Sequence, residues 1–229
     1  MAEAQRTRSL SVAEVLREKL LQGEFAPDSK LQEVALAEDM QVSRTPIREA
    51  LRALAKDGLL DYAPNRGYTV RRFLLDDIIK AFRVRAVLEG LGCRFLAEAG
   101  ISEALTEKLA ACIAQGDRLL EQNPMANGDF SEWREMNRQF HLAILLETEN
   151  DLLIRFAGVS RNIPIVFNGS FKWYTEADFR RSQDHHRVIA DAMGKGQAER
   201  ADRMMQEHIY QASEIIRAHF SEVYPQQVN

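Results

Sequence analysis

Between Ser43 and Gly58 two periodicities run along one stretch in opposite phase. Ile47, Leu51 and Leu54 recur every three or four residues, the spacing of a single helical face. Arg44, Arg48 and Arg52 recur every four residues on the other side. The pair of patterns fixes a helix and its orientation together, apolar stripe inward and arginines outward. Ser43 stands where an N-cap is wanted, with a hydroxyl able to satisfy a free backbone donor. Pro46 suits the first turn, where N–H groups have no intrahelical partner, and Gly58 is placed to close the helix.

The flanking residues narrow the fold further. A first helix is expected from about Leu10 to Leu21, with Val12, Val15, Leu16 and Leu20 on one face and Gly23 ending it. EFAPDSK reads as a loop broken by Pro27 and Asp28. A short helix around Gln32 to Asp39 presents Val34, Leu36 and Ala37, and Met40-Gln41-Val42 links it tightly to Ser43. Beyond Gly58, LLDYA and GYTVRR alternate like two short strands joined through Pro64-Asn65-Arg66-Gly67. Helix, helix, short link, helix and hairpin make a winged helix-turn-helix, whose third helix fits the major groove of DNA. Arg44 and Arg48 are then expected at base edges, Ser43 and Thr45 at phosphates, and Arg66, beside Gly67, in a minor groove or on a phosphate.

Charge supports this reading. The whole chain carries a formal net charge of −4, yet residues 43–72 hold seven basic side chains against three acidic ones. A basic patch on an acidic molecule implies a local anionic partner rather than general adhesion to polyanions.

From Leu75 onward the pattern is helical throughout, over roughly 75–99, 102–121, 129–147, 150–169, 174–195 and 197–220, with NPMANG the main break. About 150 residues of apolar-striped helix can bury a core of their own. The expected fold is therefore mainly α. A winged helix-turn-helix spans residues 1–72 and an all-helical bundle spans 73–229, with Arg71-Arg72-Phe73 a linker too short for free movement. A content of 45% hydrophobic and 28% charged residues excludes a mainly disordered chain. No apolar run approaches the roughly 18–20 residues that span a bilayer, and the N-terminal residues lack the apolar core of a secretory signal. Cys93 and Cys112 are not spaced as a zinc knuckle or redox motif. A cytoplasmic protein with no membrane partner is expected.

The stretch LAEDMQVSRTPIREALRALAKDGLLDYAPNRGYTV resembles the DNA-binding domain of GntR-family bacterial repressors, over nearly all of residues 10–72. The remainder resembles the all-helical FCD effector domain through FRVRAVLEGLGCRFLAEAG, MNRQFHLAIL and DHHRVIADAMGKGQAERADRMMQEHI. The resemblance implies a homodimer that binds a short palindromic double-stranded DNA operator and releases it on binding a ligand. It puts the DNA contacts on Arg44, Thr45 and Arg48 and the wing contact on Arg66-Gly67.

Of five histidines, His141, His186 and His208 fall on the apolar faces of three different expected helices. Three imidazoles converging inside a bundle suit zinc or a similar divalent ion. Asn137, four residues before His141, projects from the same side. The FCD resemblance implies a metal held by an aspartate or asparagine and three histidines, which fall here on Asn137, His141, His186 and His208. His186 is preferred to His185 because the family's histidine precedes an arginine, here Arg187; His219 matches nothing and is expected at the surface. Zinc is the expected metal, with nickel or another transition metal as alternatives. A neutral asparagine leaves the ion its full charge, which favours a small carboxylate effector. Arg85 and Glu89, four apart, either pair within their helix or leave Arg85 to help bind that carboxylate.

Two other classes compete. A metal-dependent hydrolase would need a base near the metal, but there is no HExxH or paired-carboxylate motif, and it would have no use for a winged helix. A nucleoid-type protein would bind DNA without sequence preference. The expectation is a ligand-responsive regulator, not an enzyme.

Overall fold

The computed structural model describes residues 2–21, 23–122, 130–161 and 171–223. The chain divides into two compact units, one running through Phe73 and the other beginning at Leu74.

In the first unit, helix α1 (Ala2–Leu21) begins well before the apolar stripe that marks Leu10. Ala, Glu, Gln and Arg are good helix formers, so the helix extends without a stripe to announce it. Leu16 and Leu20 of α1 are fully buried, as are Ile47, Leu51 and Leu54 of α3 (Arg44–Lys56), and these residues form one core. Between them lies the short α2 (Glu33–Asp39). Its end is a tight turn in which Val42 N–H donates to Ala37 O at 3.0 Å while Gln41 takes φ +53°. The C-terminus of α3 closes in the same way, with Leu59 N–H on Leu54 O and Gly58 N–H on Ala55 O. At its start Ser43 has the extended backbone of an N-cap, but its side chain makes no capping hydrogen bond.

The hairpin pairs β2 (Leu60–Ala63) with β3 (Gly67–Val70) antiparallel, Tyr62 opposite Tyr68. The turn needs left-handed residues, which Asn65 (φ +61°) and Gly67 (φ +79°) supply. A third strand, β1 (Lys30–Leu31), lies on the other edge of β3, with Lys30 opposite Thr69. It falls where the sequence reads as loop and helix start, because two residues are too few to show alternation.

The second unit contains α4 (Leu75–Ala99), α5 (Glu103–Glu121), α6 (Ser131–Glu147), α7 (Asp151–Arg161), a 3₁₀ turn (Phe171–Trp173), α8 (Glu176–Gly194) and α9 (Ala198–Val223). The NPMANG link and the end of the expected 150–169 helix lie outside the described residues. Helix α8 starts at Glu176 because Thr175 caps it: its hydroxyl accepts from Asp178 N–H at 3.2 Å, and the Asp178 carboxylate accepts from Thr175 N–H at 2.9 Å.

Helix α9 lies along α4, α8 packs on α9 and α5, and α6 packs on α5 and α4. The α4–α9 approach is close. A methyl group at Gly90 would sit 3.0 Å from the backbone oxygen of Asp202, closer than ordinary contact, so a larger residue would force the two helices to give way. Between α5 and α8, buried Gln183 donates from Nε2 to Ile113 O at 2.6 Å and to Asp117 Oδ1 at 2.8 Å. These contacts hold α4, α6, α8 and α9 around one interior point. Among the described residues no helix is long and apolar enough to cross a membrane.

Candidate functional site

On the first unit, the apolar stripe of α3 faces the core and leaves Ser43, Arg44, Thr45, Arg48 and Arg52 exposed along its outer side. Arg66 is exposed at the hairpin tip, and Gly67 follows it in a left-handed conformation that lets the strand turn back. One feature went unread in the sequence: Glu33, at the start of α2, bonds to both Arg48 and Arg44, at 2.8 and 3.1 Å from their Nη2 atoms. No local pattern reveals a contact across a turn between helices.

In the second unit His141 on α6, His186 on α8 and His208 on α9 meet in the interior. Each offers a ring nitrogen, and these atoms lie within 4.8 Å of one another. His141 and His186 are completely buried and His208 nearly so. His141 Nε2 is 3.1 Å from His208 Nε2. Donors on a tetrahedral zinc ion would be separated by about 3.3 Å, from bond lengths near 2.0–2.1 Å. The His141–His208 pair is therefore already close to ligating separation, with His186 near enough to close on the same point. The His186 ring stacks on Phe140 at 4.1 Å, and both its nitrogens are buried without a hydrogen-bond partner among the described residues. Buried polar atoms are rarely left unpaired, so an unmet nitrogen pair asks for a partner.

The protonation states suit a metal. Burial pushes the His186 and His208 imidazoles well below their ordinary range, and the neighbouring histidines push them further. Both rings are thus neutral near pH 7, the form that ligates. Glu89 fixes the third. Its Oε2 lies 2.6 Å from His141 Nδ1, and its Oε1 accepts from Arg85 Nε at 2.6 Å. A carboxylate at Nδ1 holds the ring proton there and turns Nε2, which lies against His208 Nε2, toward the cluster as the ligating atom. The sequence offered Glu89 only as an intrahelical partner of Arg85. The structure makes it a bridge from that arginine to a histidine 52 residues away.

The remaining candidates are placed as follows. Asn137 is half-buried one turn before His141 on α6. His185 is half-buried and lies outside the three-histidine group, with its ring 5.8 Å from that of His208. His219, expected at the surface, is instead half-buried and stacked on Trp173, because α9 turns that face toward the 3₁₀ turn. Arg85 is buried, and among the described residues its Nη groups make no hydrogen bond. It lies close enough to Tyr174 to oppose the upward push that burial gives that hydroxyl. A small cleft lined by Tyr174, Ser182, His185 and His208 opens beside the cluster.

Comparison with known proteins matches residues 8–70 to the model of bacterial regulatory proteins of the gntR family and residues 80–211 to the FCD domain. The Nta operon transcriptional regulator of Aminobacter aminovorans is 26% identical over 87% of this chain and 92% of its own length. A protein of Paenarthrobacter nicotinovorans described as "Probable D-xylose utilization operon transcriptional repressor" is 25% identical over 91% of this chain and 90% of its own. The solved structure of E. coli McbR/YncC superposes with a TM-score of 0.76 at 23% identity, over 93% of this chain and 98% of that one, and so shares the fold. With the FCD model covering more than half of the chain and the GntR model covering the winged helix, the protein belongs to the GntR family, in the branch carrying an FCD effector-binding domain, and is a DNA-binding transcriptional regulator.

Proposed function

We propose that the protein is a cytoplasmic, homodimeric repressor whose hold on a palindromic operator is released by a small carboxylate bound beside a divalent metal, zinc before nickel. The observation that carries this reading is His186, an imidazole whose two buried nitrogens find no hydrogen-bond partner among the described residues and which is set among two further histidines. His141, His186 and His208 would hold the ion and Asn137 would add a neutral oxygen. When bound, the ion supplies positive charge and open coordination positions for an anionic ligand.

The protein's own side chains prepare the rest. Glu89 sets the His141 tautomer, and its charge is balanced by Arg85, so the surroundings add no net charge that would repel an anion. Arg85 keeps its Nη donors for one end of the carboxylate. On the first unit Arg44 and Arg48 read bases, Ser43 and Thr45 hold phosphates, and Arg66-Gly67 reaches along the groove. Repression is supported by the Paenarthrobacter relative, whose printed name says as much of that protein. A dimer follows from the few base pairs that one recognition helix can cover.

Elemental analysis of protein purified without added metal or a nickel column tests the site, and sedimentation tests the dimer. About one equivalent of a transition metal per chain is expected, with a mass twice the 26.1 kDa of the chain. Metal-free protein whose response to carboxylates survives in a His141→Ala/His208→Ala variant would refute the sensing mechanism.

A further inference from the structure

Arg44 and Arg48 share a carboxylate, but they are not held alike. Arg48 bonds from two positions: Nε lies 3.1 and 3.2 Å from the two Glu33 oxygens, and Nη2 lies 2.8 Å from Oε2. Arg44 makes a single bond, from Nη2 at 3.1 Å. The Arg48 bond is also the main reason that the Glu33 carboxyl stays below the usual carboxylate range.

The side on which Arg48 is gripped matters. A guanidinium carries five N–H groups in a plane. Holding it through Nε and the adjacent Nη2 uses one edge and leaves the end-on pair, Nη1 and the outer hydrogen of Nη2, pointing away from the clamp. That end-on pair is the fork that matches guanine O6 and N7. Arg48 borders a groove of about 540 Å³ together with Glu33, Arg52 and Tyr62. A carboxylate here is otherwise hard to explain, since it places negative charge in the patch that must approach phosphates. An unclamped arginine would reach the nearest phosphate on any DNA, because a phosphate contact demands little orientation.

We infer that Glu33 is a positioning residue for sequence reading, clamping Arg48 side-on so that its end-on fork is presented to a guanine edge. It thereby gives up non-specific affinity in exchange for discrimination. The inference rests on the reading that Arg44 and Arg48 face the operator.

The test uses the full-length protein and two duplexes of equal length, one selected from a random-sequence library by the wild-type protein and one scrambled. Fluorescence anisotropy compares wild type with Glu33→Gln, Glu33→Asp, Arg48→Ala and Glu33→Gln/Arg48→Ala. Glu33→Gln should tighten binding to the scrambled duplex and lower the selected-to-scrambled ratio by about three- to tenfold, the equivalent of ordering one long side chain. Glu33→Asp, which keeps the charge but shortens the reach, should lower the ratio without the gain on scrambled DNA. In the Arg48→Ala background, Glu33→Gln should leave the ratio nearly unchanged. A folding defect would weaken both duplexes and lower the melting temperature, and that result would overturn the assignment. So would an unchanged ratio in Glu33→Gln, or an equal loss with and without Arg48. If Arg48→Ala alone leaves the ratio intact, the interface reading fails, and the clamp fails with it.

Discussion

Replacing Glu89 with glutamine tests the candidate metal centre through a residue that does not ligate. Arg85 Nε meets one oxygen of this carboxylate and His141 Nδ1 the other, both at 2.6 Å. An amide has only one oxygen. If it stays on Arg85, the amide NH₂ faces His141 Nδ1, and that nitrogen must become an acceptor. The His141 proton then moves to Nε2, the atom needed for a metal. If the amide turns around, Arg85 loses its acceptor while it is 8% exposed. Loss of one hydrogen bond to a charged group costs about 1.5–3 kcal/mol, and a disturbed outer-shell partner lowers metal affinity by about 10–100-fold. Competition against a chromophoric chelator measures the affinity. Calorimetry of the metal-free protein measures the stability loss, expected at roughly 3–10 °C for a unit of this size. Destabilisation with unchanged metal affinity would refute the tautomer argument, since only the ion pair would then matter.

Other outcomes follow from the same geometry. Arg44→Ala should cost about 1–3 kcal/mol at the operator, if it makes a bidentate guanine contact, and much less on unrelated DNA; titrations on both duplexes check this. Arg66→Ala should weaken both more evenly. Below pH 6.5, the ordinary value for histidine, the metal-free protein should lose stability as pH falls. The unfolded chain takes up protons that buried His186 and His208, with lowered pKa values, do not accept. The loss should end once pH falls below those lowered values, and thermal melts between pH 7.5 and 5 follow it. Gly90→Ala should destabilise by about 1–3 kcal/mol through overpacking against Asp202, measured by denaturant unfolding.

The sequence carried the helices and the three histidines because each rests on a short-range pattern. Ile47, Leu51 and Leu54 state which face of α3 is buried, and the apolar neighbours of His186 and His208 state that these imidazoles point inward. What escaped it is tertiary. Strand β1 is two residues long and exists only because β3 offers a free edge. Glu33 reaches Arg48 across a turn, and Glu89 reaches His141 from another helix, so neither bond has a spacing rule to betray it. Ser43 shows the reverse failure: the right residue occupies the right position, yet its hydroxyl makes no cap bond.

Helix α4 carries Arg85 and Glu89 in its middle and starts at Leu75, next to the wing in sequence. A continuous hydrogen-bonded helix transmits torsion with little loss, so the phase between the Glu89 side chain and the helix start is fixed by residue count. Each residue advances that phase by about 100° and the length by about 1.5 Å. One residue inserted between Leu75 and Arg85 would therefore turn Glu89 by about 100° relative to the helix start, whereas seven would nearly restore its phase.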